Sequence, residues 1–188
     1  MIITINNKKV KVAEGMTVLD AARSAGIEIP TLCSQDALAP YGACRLCIVE
    51  IEKDGKTFVE SSCSYPVEEG LVVKTGSESV LKGRRFVIEL LLARSPNVKR
   101  IRELAREYQV EDIPRQWNKD NEYCILCGLC VRVCQERMGI GAISFAHPPS
   151  TAFVFLSQYA YCTTCVHPFA PGTGRSLPLF TIVEAPFT

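Results

Sequence analysis

The chain has little of several features that commonly define a protein's role. It holds two histidines, one tryptophan and a formal net charge of only +1 over 188 residues. So small a basic surplus does not favour binding to nucleic acid through bulk charge. No G-x-G-x-x-G pattern follows a predicted strand and no P-loop is present, which excludes both of these nucleotide-binding motifs.

Long apolar runs are also missing. The run Phe86–Leu92 is interrupted by Glu89 and falls far short of the roughly 20 residues that span a bilayer. The first residues, MIITINNKKVKV, lack the charged start and apolar core of a signal peptide. We therefore expect a soluble, cytoplasmic protein without a transmembrane segment, in which clustered cysteines are metal ligands rather than disulfides.

Cysteine, by contrast, is abundant. Eight of the ten cysteines fall into two blocks, which read C-x10-C-x2-C-x15-C and C-x2-C-x2-C-x3-C. Thiolates are soft ligands that suit iron–sulfur clusters, and four of them complete one cluster. The first block consists of Cys33, Cys44, Cys47 and Cys63, and the second of Cys124, Cys127, Cys130 and Cys134.

The first block predicts a [2Fe–2S] site in which a loop wraps the cluster and Cys63 anchors it to a sheet. Gly42 allows the backbone to come close to an inorganic sulfide, and small residues such as Ala43 leave N–H groups to bond the sulfurs. A structural zinc site is the alternative. Zinc sites usually pair two short C-x2-C steps, and this block has one, so iron is favoured.

The surrounding pattern divides the chain into three predicted parts. Residues 1–76 indicate a small α/β domain with hairpins at Asn6–Lys9 and at Asp54-Gly55, and with Thr17 as the N-cap of a helix. Residues 77–117 indicate a helical linker. Residues 118–188 hold the second cysteine block and a loop-rich, proline-rich tail.

The linker sequence predicts one buried helix and the start of a second helix. Its segment Phe86–Leu92 is too apolar for a solvated helix, so we expect it to be buried between domains. Ser95 and Pro96 are predicted to be the N-cap and first position of a second helix. Residues 82–106 hold eight Lys or Arg against two Glu, which indicates a solvated basic face or, alternatively, a docking surface for an acidic partner.

The segment Tyr41–Cys47, YGACRLC, within this cysteine spacing and a β-grasp pattern, resembles the N-terminal ferredoxin domain of one subunit family. The family includes the large iron–sulfur subunit of bacterial complex I and the diaphorase iron–sulfur subunits of NAD-reducing hydrogenases and formate dehydrogenases. The likeness covers about residues 1–145. Many relatives carry a further cluster on one His and three Cys, but residues 64–123 contain neither residue type.

The second block resembles half of a bacterial two-cluster ferredoxin motif, with Cys124, Cys127 and Cys130 around one [4Fe–4S] cluster. The fourth ligand is open between Cys134, Cys162 and Cys165. The next two ligand positions of the motif hold Pro168 and Gly172, so at most one complete all-cysteine [4Fe–4S] site is expected, beside an incomplete second site. A lost distal cluster or a changed reading frame would explain this tail, and we do not expect His167 to be a ligand.

These observations predict an α+β protein: a β-grasp [2Fe–2S] domain, a helical linker and a partial [4Fe–4S] domain. The resemblance implies a non-catalytic electron-transfer subunit that works between a flavoprotein binding NAD(H) and a catalytic oxidoreductase subunit. A free-standing ferredoxin and a structural metal-binding subunit are the alternatives. A near-neutral chain does not favour the first, and reversible bleaching on reduction would exclude the second.

Overall fold

The computed structural model of the chain describes residues 1–110 and 123–145. The chain forms two compact units, Met1–Cys127 and Gly128–Thr188. Cys162, Cys165 and His167 lie outside the described residues, and so does the predicted boundary at residue 117. The three-part division of the chain stays a prediction.

A five-stranded mixed sheet organises the first unit. Its order is β2-β1-β5-β3-β4, in which β1 and β5 run parallel and every other pair is antiparallel. One helix, α1, packs on the sheet, and the predicted β-grasp arrangement is confirmed. The elements are β1 Ile2–Ile5, β2 Lys8–Lys11, α1 Val18–Ser24, β3 Ile48–Lys53, β4 Lys56–Ser61 and β5 Val72–Lys74.

Local sequence signals account for the turns and for the start of α1. Asn6 and Asn7 take φ values of 48° and 68°, the left-handed pair that a tight two-residue hairpin requires. Asp54 and Gly55 do the same at 51° and 72°. The Thr17 side chain accepts a hydrogen bond from the backbone of Asp20, whose carboxylate accepts one from Thr17 in return, so the predicted N-cap is confirmed as a capping box.

The main core lies between α1 and one face of the sheet. Alternate residues of the strands point into this core from the sheet, and the apolar side of α1 packs against them. Two of the predicted ligands, Cys47 and Cys63, belong to this same core. The side chains that are no more than 2% exposed in it include Ile3, Ile5, Val18, Leu19, Val49, Ile51, Leu71 and Val73.

Two helices follow the sheet, α2 Glu78–Arg94 and α3 Lys99–Glu107. They build a second apolar core, which comprises Cys33, Cys44, Leu46, Ile88, Leu92, Ile101, Leu104 and Ala105. The burial expected of Phe86–Leu92 is therefore right for Ile88 and Leu92. It is wrong for Phe86, which is 59% exposed, because the helix turns this side chain away from the buried stripe.

The predicted start of the second helix is wrong. α3 begins at Lys99 with Val98 as its N-cap, and Ser95 is instead the C-cap of α2. The reason is that Ser95 donates its backbone N–H to Leu91, closing α2. Its hydroxyl donates to the Cys124 carbonyl oxygen at 3.0 Å.

The basic residues of the linker do not all lie on a solvated face. Most are exposed, but Arg84 is 4% exposed and takes part in the docking of α2 on the sheet. Its Nη2 donates to the Ile48 carbonyl oxygen at 2.8 Å. Gly83 beside it comes so close to β3 that an added Cβ would lie 2.6 Å from the Ile48 Cδ1 atom. Glycine therefore allows the close approach of helix and strand at this point.

The second unit is described over residues 128–145. Gly128, at φ 72°, precedes the short helix α4 Leu129–Arg132, which continues into a π-helical turn over Val133–Arg137. Short π-helical segments occur frequently at functional sites. Among the helices of the described residues, none has the length and apolar character needed to cross a membrane.

Truncating the fully buried Ile88 to alanine should loosen the α2–α3 pair, because the lost side chain leaves a cavity in the second core. We expect the free energy of opening these helices to fall by about 2–5 kcal/mol. Native-state hydrogen exchange of the α2 amides measures this quantity without unfolding the whole protein.

Phe86→Ala on the exposed side of the same helix is the matched control. It should change the opening free energy by less than about 0.5 kcal/mol. Equal effects of the two substitutions would contradict the observed orientation of α2.

Candidate metal centres

Four cysteines of the first block are brought together in the structure. Cys33, Cys44 and Cys47 lie on the loop between α1 and β3, and Cys63 lies just after β4. All four are buried, with exposed fractions between 1% and 6%. Two segments distant in sequence thus deliver their thiols to one water-poor place, as the spacing predicts.

Helix α1 fixes the segment that carries Cys63. The first N–H groups of a helix have no partner within it. Here Val18 donates to the Tyr65 carbonyl oxygen at 2.9 Å, and Leu19 donates to that of Ser62 at 3.0 Å. The Ser62 hydroxyl, itself fully buried, donates to the Cys47 carbonyl oxygen at 2.7 Å. This network ties the two ligand-bearing segments to each other.

The loop itself bends through two residues with positive φ, Gly42 at 71° and Arg45 at 55°. The bend directs backbone N–H groups toward sulfur: the Cys44 N–H donates to the Cys33 Sγ atom at 3.4 Å. Backbone N–H groups of Cys44 and Ala43 also contribute to a lowered pKa of Cys33. Such N–H donors are among the groups that tune a cluster's reduction potential.

The four thiols form a chain of pairwise contacts, in the order Cys44, Cys33, Cys63, Cys47. The pKa of Cys33 is well below its usual range because the Cys44 and Cys63 thiols donate to it. The pKa of Cys47 is lowered to about 6, chiefly by the Cys63 thiol. The donors Cys44 and Cys63 have correspondingly raised pKa values. The contacts therefore stabilise negative charge on the sulfurs of Cys33 and Cys47, with Cys44 and Cys63 as the protonated donors.

This arrangement suits a two-iron cluster, since each of two bridged irons takes two thiolates. Within residues 1–110 and 123–145, no three or more His, Cys, Asp or Glu side chains are gathered as a site for a single metal ion. The donor set is soft, buried and supplied with N–H donors, all of which fit a [2Fe–2S] group.

The second cysteine block is shared between the two units. Cys124 and Cys127 belong to the first unit. Ser95 holds the carbonyl of Cys124, and Cys127 and Ile125 pack against the α2–α3 core. Because Cys33 and Cys44 belong to that same core, one group of apolar side chains contacts cysteines of both blocks.

Cys130 and Cys134 belong to the second unit, where they lie on α4 and on the π-helical turn. Cys134 is 7% exposed, and its Sγ atom accepts the Ala142 N–H at 3.2 Å. Its carbonyl oxygen accepts N–H groups of Ile140 and Gly141. The segment after the turn thus folds back on Cys134 and bonds both its sulfur and its carbonyl oxygen.

Three residues with contacts near these cysteines escape prediction from sequence: Ser62, Arg84 and Ser95. Each is a buried polar side chain that bonds a carbonyl oxygen on, or one residue away from, a cysteine of a predicted cluster site. A lone serine or arginine in a sequence carries no signal of such a role, because the bond joins elements far apart in the chain.

Comparison with known domains defines the class of protein. Residues 1–78 match the 2Fe-2S iron-sulfur cluster binding domain, and residues 117–137 match the 4Fe-4S binding domain. The chain is therefore an iron–sulfur protein with one module for each type of cluster, and the predicted cofactors are confirmed at this level.

Curated relatives show which larger proteins this chain resembles. The chain is 32% identical over 196 residues to the NADP-reducing hydrogenase subunit HndD of Solidesulfovibrio fructosivorans, covering 87% of this chain and 33% of the relative. It is 30% identical over 190 residues to an NADH-quinone oxidoreductase subunit of Rhizobium meliloti, covering 87% of this chain and 22% of the relative. The chain thus spans a third or less of the length of these curated relatives.

A solved structure agrees with these relatives. The crystal structure of an NAD⁺-reducing [NiFe]-hydrogenase in the H₂-reduced state contains a chain that superposes with a TM-score of 0.67 at 29% identity. The match covers 77% of this chain and 70% of that one. The chain is thus similar to subunits of NAD(P)-linked hydrogenases and of NADH-quinone oxidoreductases, the resemblance that its sequence predicts.

Reciprocal cysteine substitutions should separate the two centres. Cys47→Ala removes a ligand from the first set and should abolish the EPR signal of a reduced [2Fe–2S] centre while the [4Fe–4S] signal remains. Cys127→Ala should have the opposite effect. Anaerobically reconstituted wild-type protein should hold about six irons, two plus four, and the variants about four and about two.

Each variant is the control for the other, because both remove one thiol from a cysteine block. A [2Fe–2S] signal that survives Cys47→Ala unchanged would refute the first ligand set. A reproducible iron content near ten would mean that a second [4Fe–4S] cluster is held with ligands other than cysteine.

Proposed function

We propose that this chain is the electron-transfer subunit of an NAD(P)H-linked oxidoreductase complex. It would relay electrons between a flavoprotein subunit that binds NAD(H) and a catalytic oxidoreductase subunit, without catalysing a reaction of its own. The observation that carries the proposal is the shared apolar core of α2 and α3, which contacts Cys33 and Cys44 of the first block and Cys127 of the second.

For the first centre we assign Cys33, Cys44, Cys47 and Cys63 as the ligands of a [2Fe–2S] cluster. Their burial, their mutual contacts and the Cys44 N–H donor support this assignment. When bound, the cluster supplies one-electron redox chemistry. The chain's own residues exclude water, hold the thiols together and stabilise their negative charge.

For the second centre we assign Cys124, Cys127 and Cys130 as ligands of a [4Fe–4S] cluster. We propose Cys134 as the leading candidate for a further ligand, because it is buried and its sulfur accepts the Ala142 N–H at 3.2 Å, the kind of donor that bonds cluster sulfurs. Cys162 and Cys165 remain alternative fourth ligands, and they lie outside the described residues.

The names of the relatives support the proposed partners, and the sequence expectation of a cytoplasmic protein supports the proposed location. Solved and curated relatives are named as subunits of hydrogenases or NADH-quinone oxidoreductases that use NAD, NADP or NADH. A cytoplasmic complex with a flavoprotein and a catalytic subunit is the arrangement that we propose for this chain. We propose no role in binding nucleic acid.

The function is tested by supplying electrons from NAD(P)H. Native complex purified anaerobically should contain a flavoprotein subunit, and NADH or NADPH should bleach the visible absorbance of this chain only when that subunit is present. Isolated chain mixed with NAD(P)H should stay oxidised, because no nucleotide-binding motif is found in its sequence.

Dithionite provides the matched control, since it should bleach the isolated chain directly and reversibly. Purification of the chain as a lone protein that accepts electrons from many donors would favour a free-standing ferredoxin. An iron-free chain, or one whose absorbance dithionite does not bleach, would leave a structural metal-binding role.

A further inference from the structure

Arg84 is a cation within the buried stripe of α2. The stripe repeats every four residues through Val80, Arg84, Ile88 and Leu92, and its other three members are apolar. Arg84 is 4% exposed, whereas the neighbouring Arg85 is exposed. Placing a charge among apolar side chains is costly unless another charge compensates it, so the position requires an explanation.

The partners of Arg84 in the described residues are neutral. Nη2 donates to the Ile48 carbonyl oxygen at 2.8 Å, and Nη1 donates to the Tyr108 hydroxyl at 3.4 Å. Nε is buried and has no hydrogen-bond partner. Within residues 1–110 and 123–145 no carboxylate forms an ion pair with this guanidinium. Among the described residues, no carboxylate compensates the positive charge of Arg84.

The position of this charge points to the first thiol set. Ile48, which Arg84 bonds, directly follows Cys47 in the chain. Ile88, one turn further along the same stripe, packs in the core that contains Cys33 and Cys44. Gly83 lets α2 come close to β3 at this very place. The guanidinium is therefore held beside the end of the loop that carries three of the four thiols.

We propose that Arg84 is the positioning residue that sets the reduction potential of the [2Fe–2S] centre. The inference rests on the proposed function, because it requires a cluster on the first cysteine set. Reduction by one electron adds one negative charge to a four-thiolate site that is already anionic. A fixed cation in a water-poor environment favours that added charge and raises the potential, since little solvent is present to screen it.

The test measures the reduction potential of the [2Fe–2S] centre in the full chain. The chain is titrated with dithionite under anaerobic conditions, and the EPR signal of the reduced centre is recorded at each step. Arg84→Met and Arg84→Gln remove the charge and should shift the potential to more negative values. Arg84→Lys keeps the charge and should restore most of the wild-type potential. Arg85→Met is the matched control, because it removes an equal charge from an exposed neighbour and should shift the potential much less.

The outcomes separate this inference from the proposed function. A wild-type chain without a [2Fe–2S] signal would refute the function itself. A wild-type signal whose potential is the same in both neutral variants, or that shifts equally in Arg85→Met, would refute the role of Arg84 alone. If the neutral variants lose the cluster, its retention in Arg84→Lys supports the counter-charge, whereas its loss in that variant too shows a purely structural role.

Discussion

The first unit is organised around one requirement, that four thiols reach a single buried place and contact one another there. Cys33, Cys44 and Cys47 come from one loop and Cys63 from beyond a hairpin, so the sheet must bring the two segments together. The N–H groups of α1, the Ser62 hydroxyl and the bend at Gly42 all act on these segments. Much of the local geometry follows from holding sulfur in this way.

Helices α2 and α3 contribute to the burial of the thiols. They have no cysteine of their own, yet their apolar side chains close over the first thiol set and also contact Cys127. A water-poor medium strengthens electrostatic interactions between charges on its two sides. The helix pair is therefore more than a spacer, because it determines the dielectric surroundings of cysteines from both blocks.

The features that could be predicted from sequence are those decided by neighbouring residues. The turn at Asp54-Gly55 and the Thr17 capping box depend on positive φ or on a bond to a residue three positions away, and such signals are visible in the chain itself. The cysteine spacing likewise predicted which four thiols meet. The turn and the cap were confirmed because each depends on local chemistry, whereas the role of the four thiols as cluster ligands stays a prediction.

The errors arose where a distant element decides the outcome. Ser95 looks like a helix N-cap, but its hydroxyl bonds the carbonyl of Cys124, which lies 29 residues further along. Phe86 sits in an apolar run, but the position of the sheet decides which side of α2 is buried, and Phe86 lies on the other side. Arg84 was grouped with the surface cations of the linker, because composition does not show which residues of a helix lie on its buried face.

The pairing of β1 with β5 has a consequence for folding during synthesis. Thr4 lies opposite Val72 in this parallel pair, so all four thiols of the first set fall between the two strands in sequence. The ribosome delivers β1 first, and the strand must wait for β5 before the central part of the sheet can form. The four thiols are therefore synthesised before the strand that completes the sheet around them, so we expect them to become fully buried only after β5 has emerged.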